Sequence, residues 1–127
     1  MEHRIAIEVG GDAFEARLDD ERAPETVRLI LDALPIASTA RTWGDEIYFE
    51  IPVDADEENG VTRVSKGDLG YWPAGNCFCI FYGRTPMSPS DDEIVPASAV
   101  NLIGTVDDPD GFKRHAAGED VVVRSLE

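Results

Sequence analysis

The chain has 127 residues, of which 26 are acidic and 11 are basic, so its formal net charge at pH 7 is −15. A charge of this size repels nucleic acids and anionic membranes, which excludes both classes as expected partners. The length indicates a single domain that can bury a real core. No apolar run reaches the length of a membrane span, and the start MEHRIAIEVGG does not resemble a signal peptide.

The surplus of acid has a physical cost. Repulsion among the acidic side chains destabilises the compact chain in dilute buffer, and salt screens that repulsion. Lys66 and Lys113 are the only lysines. An acid-rich, lysine-poor surface is typical of proteins from salt-accumulating cells. We therefore interpret the charge as a halophilic adaptation to a salty cytoplasm, and not as a binding site for a cationic partner.

Cys77 and Cys79 are the only cysteines, and a single residue separates them. On one strand their Cα atoms lie roughly 6.5–7 Å apart, at the edge of disulfide geometry, so free thiols in a reducing cytoplasm are expected. A reactive pair needs a neighbouring base and a metal site needs two further ligands, but neither histidine is close in sequence. Small buried hydrophobic side chains are the favoured interpretation, and we expect no metal and no cofactor.

The first third of the chain predicts a hairpin and then a helix. Residues 4–9 and 13–18 alternate apolar and polar side chains, and Gly10-Gly11 between them suits a two-residue turn. The following segment changes its period. One helical face, at spacing i, i+3, i+4 and i+7, is formed by Val27, Ile30, Leu31 and Leu34. The pattern predicts a helix over residues 24–34 that Pro35 ends.

The remaining segments predict short strands. These strands cover residues 38–43, 47–51, 61–64, 69–72, 77–82, 100–106 and 121–124. Residues 54–60 are expected to form a solvated acidic loop, residues 84–96 a long surface loop, and residues 107–118 a short helical turn. The run 77–82 has no charge, which indicates a strand buried on both faces. Eight or so strands around one main helix predict an all-β fold, a closed eight-stranded antiparallel barrel without exposed edges.

Several segments resemble a known family. Residues 14–34, FEARLDDERAPETVRLILDAL, resemble the opening of cyclophilins, with Pro24, Thr26 and Val27 as matching residues. Residues 98–106, SAVNLIGTV, are similar to the cyclophilin strand that ends in Gly-x-Val. WGDEIYFEIP and GDLGYWPAGNCFCIFYGRTP resemble the small prokaryotic cyclophilin-like family, whose members consist of this barrel and little else. The resemblance covers almost the whole chain and implies an eight-stranded barrel with helical caps.

The resemblance also implies where an isomerase site would lie. Cyclophilin chemistry uses an arginine donor beside a hydrophobic cup, and that arginine falls at or near Arg41. The other pocket positions of the family hold different residues here, namely Thr39-Ala40, Cys77, Cys79 and Val100, and the family's tryptophan has no counterpart near Val95. A donor without its cup positions a substrate poorly, so efficient isomerisation is not expected.

A ligand site is expected around the aromatic turn at residues 71–76, because Trp and Tyr offer contact area together with a polar handle. The candidate ligand-binding residues are Arg41, Trp43, Tyr48, Tyr71, Trp72, Asn76, Cys77 and Cys79. Packing at a barrel end explains the aromatic residues about as well. For Arg41, an ion pair with one of the many acidic side chains is the favoured alternative.

Three functions remain open from the sequence. The first is a barrel without efficient catalysis that binds a small molecule or a short peptide in the cyclophilin-type groove. The second is a weak peptidyl-prolyl isomerase that uses Arg41. The third is a self-associating module whose exposed face carries Trp72 or Tyr71.

Overall fold

The computed structural model describes all 127 residues. Its strands and helices, in chain order, are β1 (Glu2–Val9), β2 (Asp12–Asp19), α1 (Pro24–Ala33), β3 (Ile36–Thr39), β4 (Arg41–Thr42), β5 (Glu46–Glu50), β6 (Asp68–Trp72), β7 (Cys77–Phe81), β8 (Asn101–Val106), a 3-10 helix (Pro109–Arg114) and β9 (Asp120–Ser125). Neither helix has the length and apolar character needed to cross a lipid bilayer.

All strands pair antiparallel in one sheet, in the order β3-β9-β1-β2-β8-β6-β7-β5-β4. The two outermost strands, β3 and β4, are consecutive in the chain, so the sheet curls until its edges meet. Across this seam the Ser38 hydroxyl donates a hydrogen bond of 2.7 Å to the carbonyl oxygen of Glu50. The result is a nearly closed all-β barrel, which confirms the predicted fold class.

The first elements form as their local sequence predicts. Gly10 and Gly11 both adopt positive φ, at 56° and 91°, and they join β1 to β2 as a hairpin. Helix α1 begins at Pro24 and buries Val27 and Ile30 in the barrel core, so its amphipathic spacing sets the face that packs. The 3-10 helix confirms the short helical turn that was expected between residues 107 and 118.

Strand β7 is buried on both faces, as its uncharged sequence predicts. Phe78 and Ile80 point into the main core inside the barrel. Cys77, Cys79 and Phe81 face outward and belong to a second, smaller apolar cluster. A strand buried on both faces requires a cover outside the barrel, and the segment 84–100 contributes Ile94 and Val100 to that second cluster.

The structure differs from the strand predictions at two places. The predicted strand 38–43 is interrupted at buried Ala40, whose N–H donates to the carbonyl of Glu119, and this interruption makes nine strands instead of eight. The strand prediction for residues 61–64 is wrong. Val61 and Val64 form only isolated bridges, because their partners lie in the irregular segment 84–100.

The acidic segment 54–60 is not simply solvated. Ala55 is buried, and the fully buried Asn101 side chain accepts a hydrogen bond from the N–H of Glu58 at 2.7 Å. The same side chain donates to the carbonyl of Asp56 at 2.9 Å. Strand β8 therefore holds this loop against the barrel.

Candidate functional site

A groove lies on the outer surface of the barrel, where strands β4 to β7 run side by side. The strand register places Arg41 opposite Tyr48, Tyr48 opposite Cys79, and Cys79 opposite Gly70. Residues that are directly opposite in an antiparallel sheet project from the same face. These residues therefore share the outer face with Cys77, which adjoins Cys79 by the period of two.

This outer groove has a volume of about 240 Å³. Strand β5 and the turn that precedes it form one wall, and the end of β6 forms another. The third wall is the segment 84–100 that covers β7, which we call the covering segment. The seven lining residues are Trp43, Glu46, Tyr48, Trp72, Pro96, Ala97 and Val100. Apart from the carboxyl of Glu46, the lining is dominated by apolar and aromatic side chains.

The covering segment holds its shape through its own hydrogen bonds. The hydroxyl of Ser88 accepts from the N–H groups of Thr85 and Val95 at 3.0 and 3.1 Å, and the Thr85 hydroxyl donates to the Val95 carbonyl. The N–H of Val64 donates to the carbonyl of Ile94 at 3.0 Å. The long surface loop expected from its prolines is thus an ordered wall. In the sequence, only the small polar residues near its two ends, Thr85, Ser88 and Ser98, could have signalled this order.

The two tryptophans of the chain both line the groove, and they come from different elements, Trp72 from β6 and Trp43 from the turn after β4. Trp72 is half-buried at the end of β6, and its indole N–H donates to the hydroxyl of Ser98 at 2.6 Å, which ties β6 to the covering segment. Trp43 is half-buried directly after β4, and its backbone N–H donates to the carbonyl of Glu46 at 2.9 Å. The groove therefore combines Trp43, Tyr48 and Trp72, three of the residues that the sequence singled out.

Glu46 is the residue that sequence reasoning missed. It shares the outer face of β5 with Tyr48, and only 6% of Glu46 is exposed. Burial raises the pKa of its carboxyl to about 7, and a hydrogen bond with the Cys79 thiol opposes the shift without cancelling it. No lysine, arginine or histidine contributes to that pKa. The groove thus holds a buried acid without a cationic partner.

The tight turn before β5 explains how a glutamate comes to be buried. Gly44 adopts a φ of +61°, and a Cβ on it would lie 2.7 Å from the carbonyl oxygen of Arg84. This close approach brings the start of the covering segment against the start of β5. In the sequence, only the glycine of Trp-Gly-Asp signals such packing. The burial of Glu46 has no other local signal, because the segment that covers it lies some forty residues later in the chain.

Both thiols lie beneath the groove and not in its lining. Cys79 is 1% exposed and Cys77 is 4% exposed. Burial is the main cause that raises the pKa of each thiol, and the charge of Arg41 opposes it at Cys77. Both cysteines are free, and no group of three or more His, Cys, Asp or Glu side chains is placed to hold a metal ion.

Arg41 is exposed and lies opposite Tyr48, at the edge of the groove and outside its lining. The expected ion pair with an acidic side chain is absent, because no carboxylate oxygen lies within 4.0 Å of its guanidinium. The carboxylates of Glu46 and Glu50, on the neighbouring strand β5, both lie farther than this from the guanidinium. Arg41 is therefore a free cation beside the groove.

Tyr71 and Asn76 lie apart from the groove. Tyr71 is 0% exposed, and its hydroxyl donates to the carbonyl of Val53 at 2.7 Å and accepts from the N–H of Ala55 at 3.1 Å. The Asn76 amide donates to the same carbonyl and to the Tyr71 hydroxyl. Both side chains hold residues 53–55 against the barrel, and Tyr71 offers no exposed face for self-association.

The comparisons with known proteins agree with this architecture. The family described as Cyclophilin-like matches residues 3–124. The solution structure of a hypothetical protein from Archaeoglobus fulgidus is 50% identical, with a TM-score of 0.84, covering 98% of this chain and 95% of that one. McbB, whose structure was determined in complex with tryptophan, is 19% identical, with a TM-score of 0.75 over 96% of this chain.

The two neighbours carry different weight. This chain spans 44% of the length of McbB, and at 19% identity that likeness shows a common fold and nothing more. No curated protein matches the chain. The family match, by contrast, covers almost every residue that builds the barrel and the groove. The chain belongs to the cyclophilin-like family.

Proposed function

We propose that this protein binds a small, mainly apolar molecule in the outer groove and does not catalyse an efficient reaction there. One observation carries the proposal, namely that Trp43, Tyr48 and Trp72 line a single concavity on an otherwise polar surface. Met1 and Met87 are the only large hydrophobic residues that are exposed elsewhere. Concave sites lined by aromatic side chains with few polar groups are the usual form of ligand pockets.

The dimensions of the groove favour a small molecule over a peptide. Its volume of about 240 Å³ lies just below the roughly 300–1,000 Å³ that is usual for sites of drug-sized ligands. The covering segment closes one side, since Pro96 is buried and Trp72 is bonded to Ser98. A compound with one or two rings fits these limits, whereas a peptide would extend beyond them.

The relatives suggest which compounds to test first. McbB has the same fold, and its structure was determined in complex with tryptophan. That complex supports aromatic amino acids and their derivatives as first probes for this chain, independently of where McbB holds its ligand.

A peptidyl-prolyl isomerase is the second candidate, and the free guanidinium of Arg41 favours it. Arg41 is exposed, unpaired and next to Tyr48 across the β4–β5 pair. The cup of the family is missing, because Cys77 and Cys79 lie under the surface where the family has larger side chains. A protease-coupled proline-peptide assay in molar salt tests this candidate. A rate above background that disappears in Arg41→Ala supports it, and a background rate excludes it.

The proposed binding is tested by filling the groove. Ala97 lines the groove but is itself exposed. The larger side chain of Ala97→Leu therefore occupies part of the groove without disturbing the core. We expect it to weaken binding of 2-phenylethanol by roughly tenfold or more, measured through tryptophan fluorescence. Ala117→Leu, at an exposed turn before β9, is the matched control and should bind as the wild type does.

The same titration reports directly from the site, because Trp43 and Trp72 are the only tryptophans and both line the groove. A panel of phenyl and indole compounds extends the test, with calorimetry for the indoles. If no aromatic compound binds, or if Ala97→Leu binds them as tightly as the wild type, the proposed function is wrong.

The charge and the cysteines of the chain also favour one cellular environment. We infer a salt-rich, reducing cytoplasm, which is supported by the net charge of −15 and by two cysteines that remain free.

A further inference from the structure

We propose that the outer groove selects a protonated amine, meaning a small molecule with an aromatic or apolar body and one ammonium group, and that the carboxylate of Glu46 is its counter-ion. This inference rests on the proposed function and names the class of ligand for the same site. It adds a charge requirement that an apolar groove alone would not have.

The carboxyl of Glu46 has no cationic partner in the protein. A buried carboxylate is expensive unless a cation or several hydrogen-bond donors compensate it. Glu46 is 6% exposed, and no hydrogen bond from any N–H group or hydroxyl of the protein reaches its carboxylate. The one group that hydrogen-bonds to this carboxyl is the thiol of Cys79, a weak donor. An arriving ammonium group supplies the partner that the protein itself does not provide.

Aromatic rings share the groove with that carboxyl. Trp43 and Trp72 stand in the walls of the same groove. Among aromatic side chains, tryptophan attracts a cation through its ring most strongly, over distances within about 6 Å. A neutral ligand would bury Glu46 further without compensating its charge, and an anionic ligand would add repulsion. The lining therefore favours a cation over a neutral molecule of the same shape.

The protein's own cations do not reach Glu46. Lys66 is engaged with Asp110, and Arg84 lies beside Asp91 with an N···O distance of 3.7 Å. Arg41 is free, but it lies outside the lining and does not affect the pKa of Glu46. No side chain of this chain is in place to neutralise the acid, so the neutralising group must come from the ligand.

The formal net charge of −15 attracts any cation, and the experiment has to separate that attraction from a specific site. We would titrate 2-phenylethylamine and 2-phenylethanol, which differ in one group, and follow the fluorescence of Trp43 and Trp72. About 1 M KCl shortens the Debye length to about 3 Å, so attraction by the exposed acids is screened while contact at a buried carboxylate is screened much less. The pH is held at about 8, where Glu46 is ionised and the amine is protonated.

The variants isolate the buried acid. Glu46→Gln keeps the shape and removes the charge. Glu50→Gln removes the same charge from the same strand and the same face, at an exposed position outside the lining. We expect wild type and Glu50→Gln to bind the amine at least roughly tenfold more tightly than the alcohol. In Glu46→Gln the amine should lose that advantage, while the alcohol binds as well as before or better.

A second measurement uses only the wild type. Lowering the pH from about 8 to about 5.5 protonates Glu46, so the affinity for the amine should fall roughly tenfold while that for the alcohol stays constant or rises. The other titratable groups near Glu46 are Asp45, Tyr82 and the two thiols. Burial raises the pKa of Tyr82, Cys77 and Cys79, so these three stay neutral over this range.

The outcomes are distinguishable. If the alcohol binds as tightly as the amine in the wild type, or if Glu46→Gln keeps the preference, the inference is overturned and the proposed function stands. If neither compound binds at any pH, the proposed function itself fails. An amine preference that Glu50→Gln removes equally is surface attraction and also overturns the inference.

Discussion

The carboxylate of Glu58 caps the first turn of helix α1 by bonding Thr26. It accepts from the Thr26 N–H at 2.9 Å and from the Thr26 hydroxyl at 2.8 Å, and it also accepts from the N–H of Glu25 at 3.1 Å. The residue before the helix, Ala23, provides no side-chain cap. A glutamate more than thirty residues away thus satisfies N–H groups that the helix cannot satisfy itself.

Replacing Glu58 should therefore destabilise the barrel through its helix. We expect Glu58→Ala to lower the free energy of unfolding by about 1–2 kcal/mol, the usual cost of losing an N-terminal cap. The measurement is urea denaturation in molar salt. Glu57→Ala removes the same charge from the exposed neighbouring position and should change stability by less than about 0.5 kcal/mol. Equal losses in the two variants would contradict the capping role.

Asn101 is the second element of this arrangement. Its side chain is fully buried, accepts from the N–H of Glu58, and donates to the Asp56 carbonyl and to the Thr26 hydroxyl at 3.1 Å. Asn101→Leu has a similar size but leaves these groups unpaired. We expect a loss of about 2–4 kcal/mol because several buried polar groups lose partners at once.

The control for Asn101 is a double variant. Because Glu58 and Asn101 act on the same loop and helix, Asn101→Leu combined with Glu58→Ala should cost less than the sum of the two single losses. Strict additivity would indicate that the two residues act independently.

The buried acid of the groove should make stability depend on pH. The pKa of Glu46 is raised from 4.5 to about 7 in the folded protein. Below about pH 4.5 both states are protonated, and Glu46 causes no penalty. As the pH rises to about 7 the unfolded state ionises first, so this contribution to stability is lost, and the penalty is complete above about pH 7.

Glu46→Gln should remove that penalty. We expect the variant to be more stable than the wild type by about 2–3 kcal/mol at pH 8 and by nearly nothing at pH 4.5. Asp45 and the neighbouring thiols are common to both proteins, so the difference between their stability curves isolates Glu46. A difference that does not vary with pH would contradict the raised pKa.

Salt should stabilise the protein because its charges repel one another. Between about 0.1 M and 1 M KCl we expect the midpoint of thermal unfolding to rise by roughly 5–10 °C. Neutralising three exposed acids that form no ion pair, in the variant Glu57→Gln, Asp92→Asn and Asp120→Asn, should reduce this rise. A salt response that is unchanged in the triple variant would argue against self-repulsion as its cause.

Local sequence was sufficient for most of the fold. The Gly10-Gly11 turn, the helix from Pro24 and the two-faced burial around Cys79 follow from period, turn residues and the absence of charge, all of which act within a few residues. The aromatic candidates Trp43, Tyr48 and Trp72 were also found in this way. Residues that are neighbours in the chain signal each of these features, although the outer face of Cys79 becomes buried only when residues 84–100 cover it.

The groove itself depends on contacts between distant segments. Closure of the sheet decided that Tyr71 faces inward, that Ala40 interrupts a strand and that residues 61–64 pair with an irregular wall. The packing of residues 84–100 against β5 decided that Glu46 is buried. Periodicity reports which residues share a face, but burial depends on what covers that face, and here the cover comes from residues far along the chain.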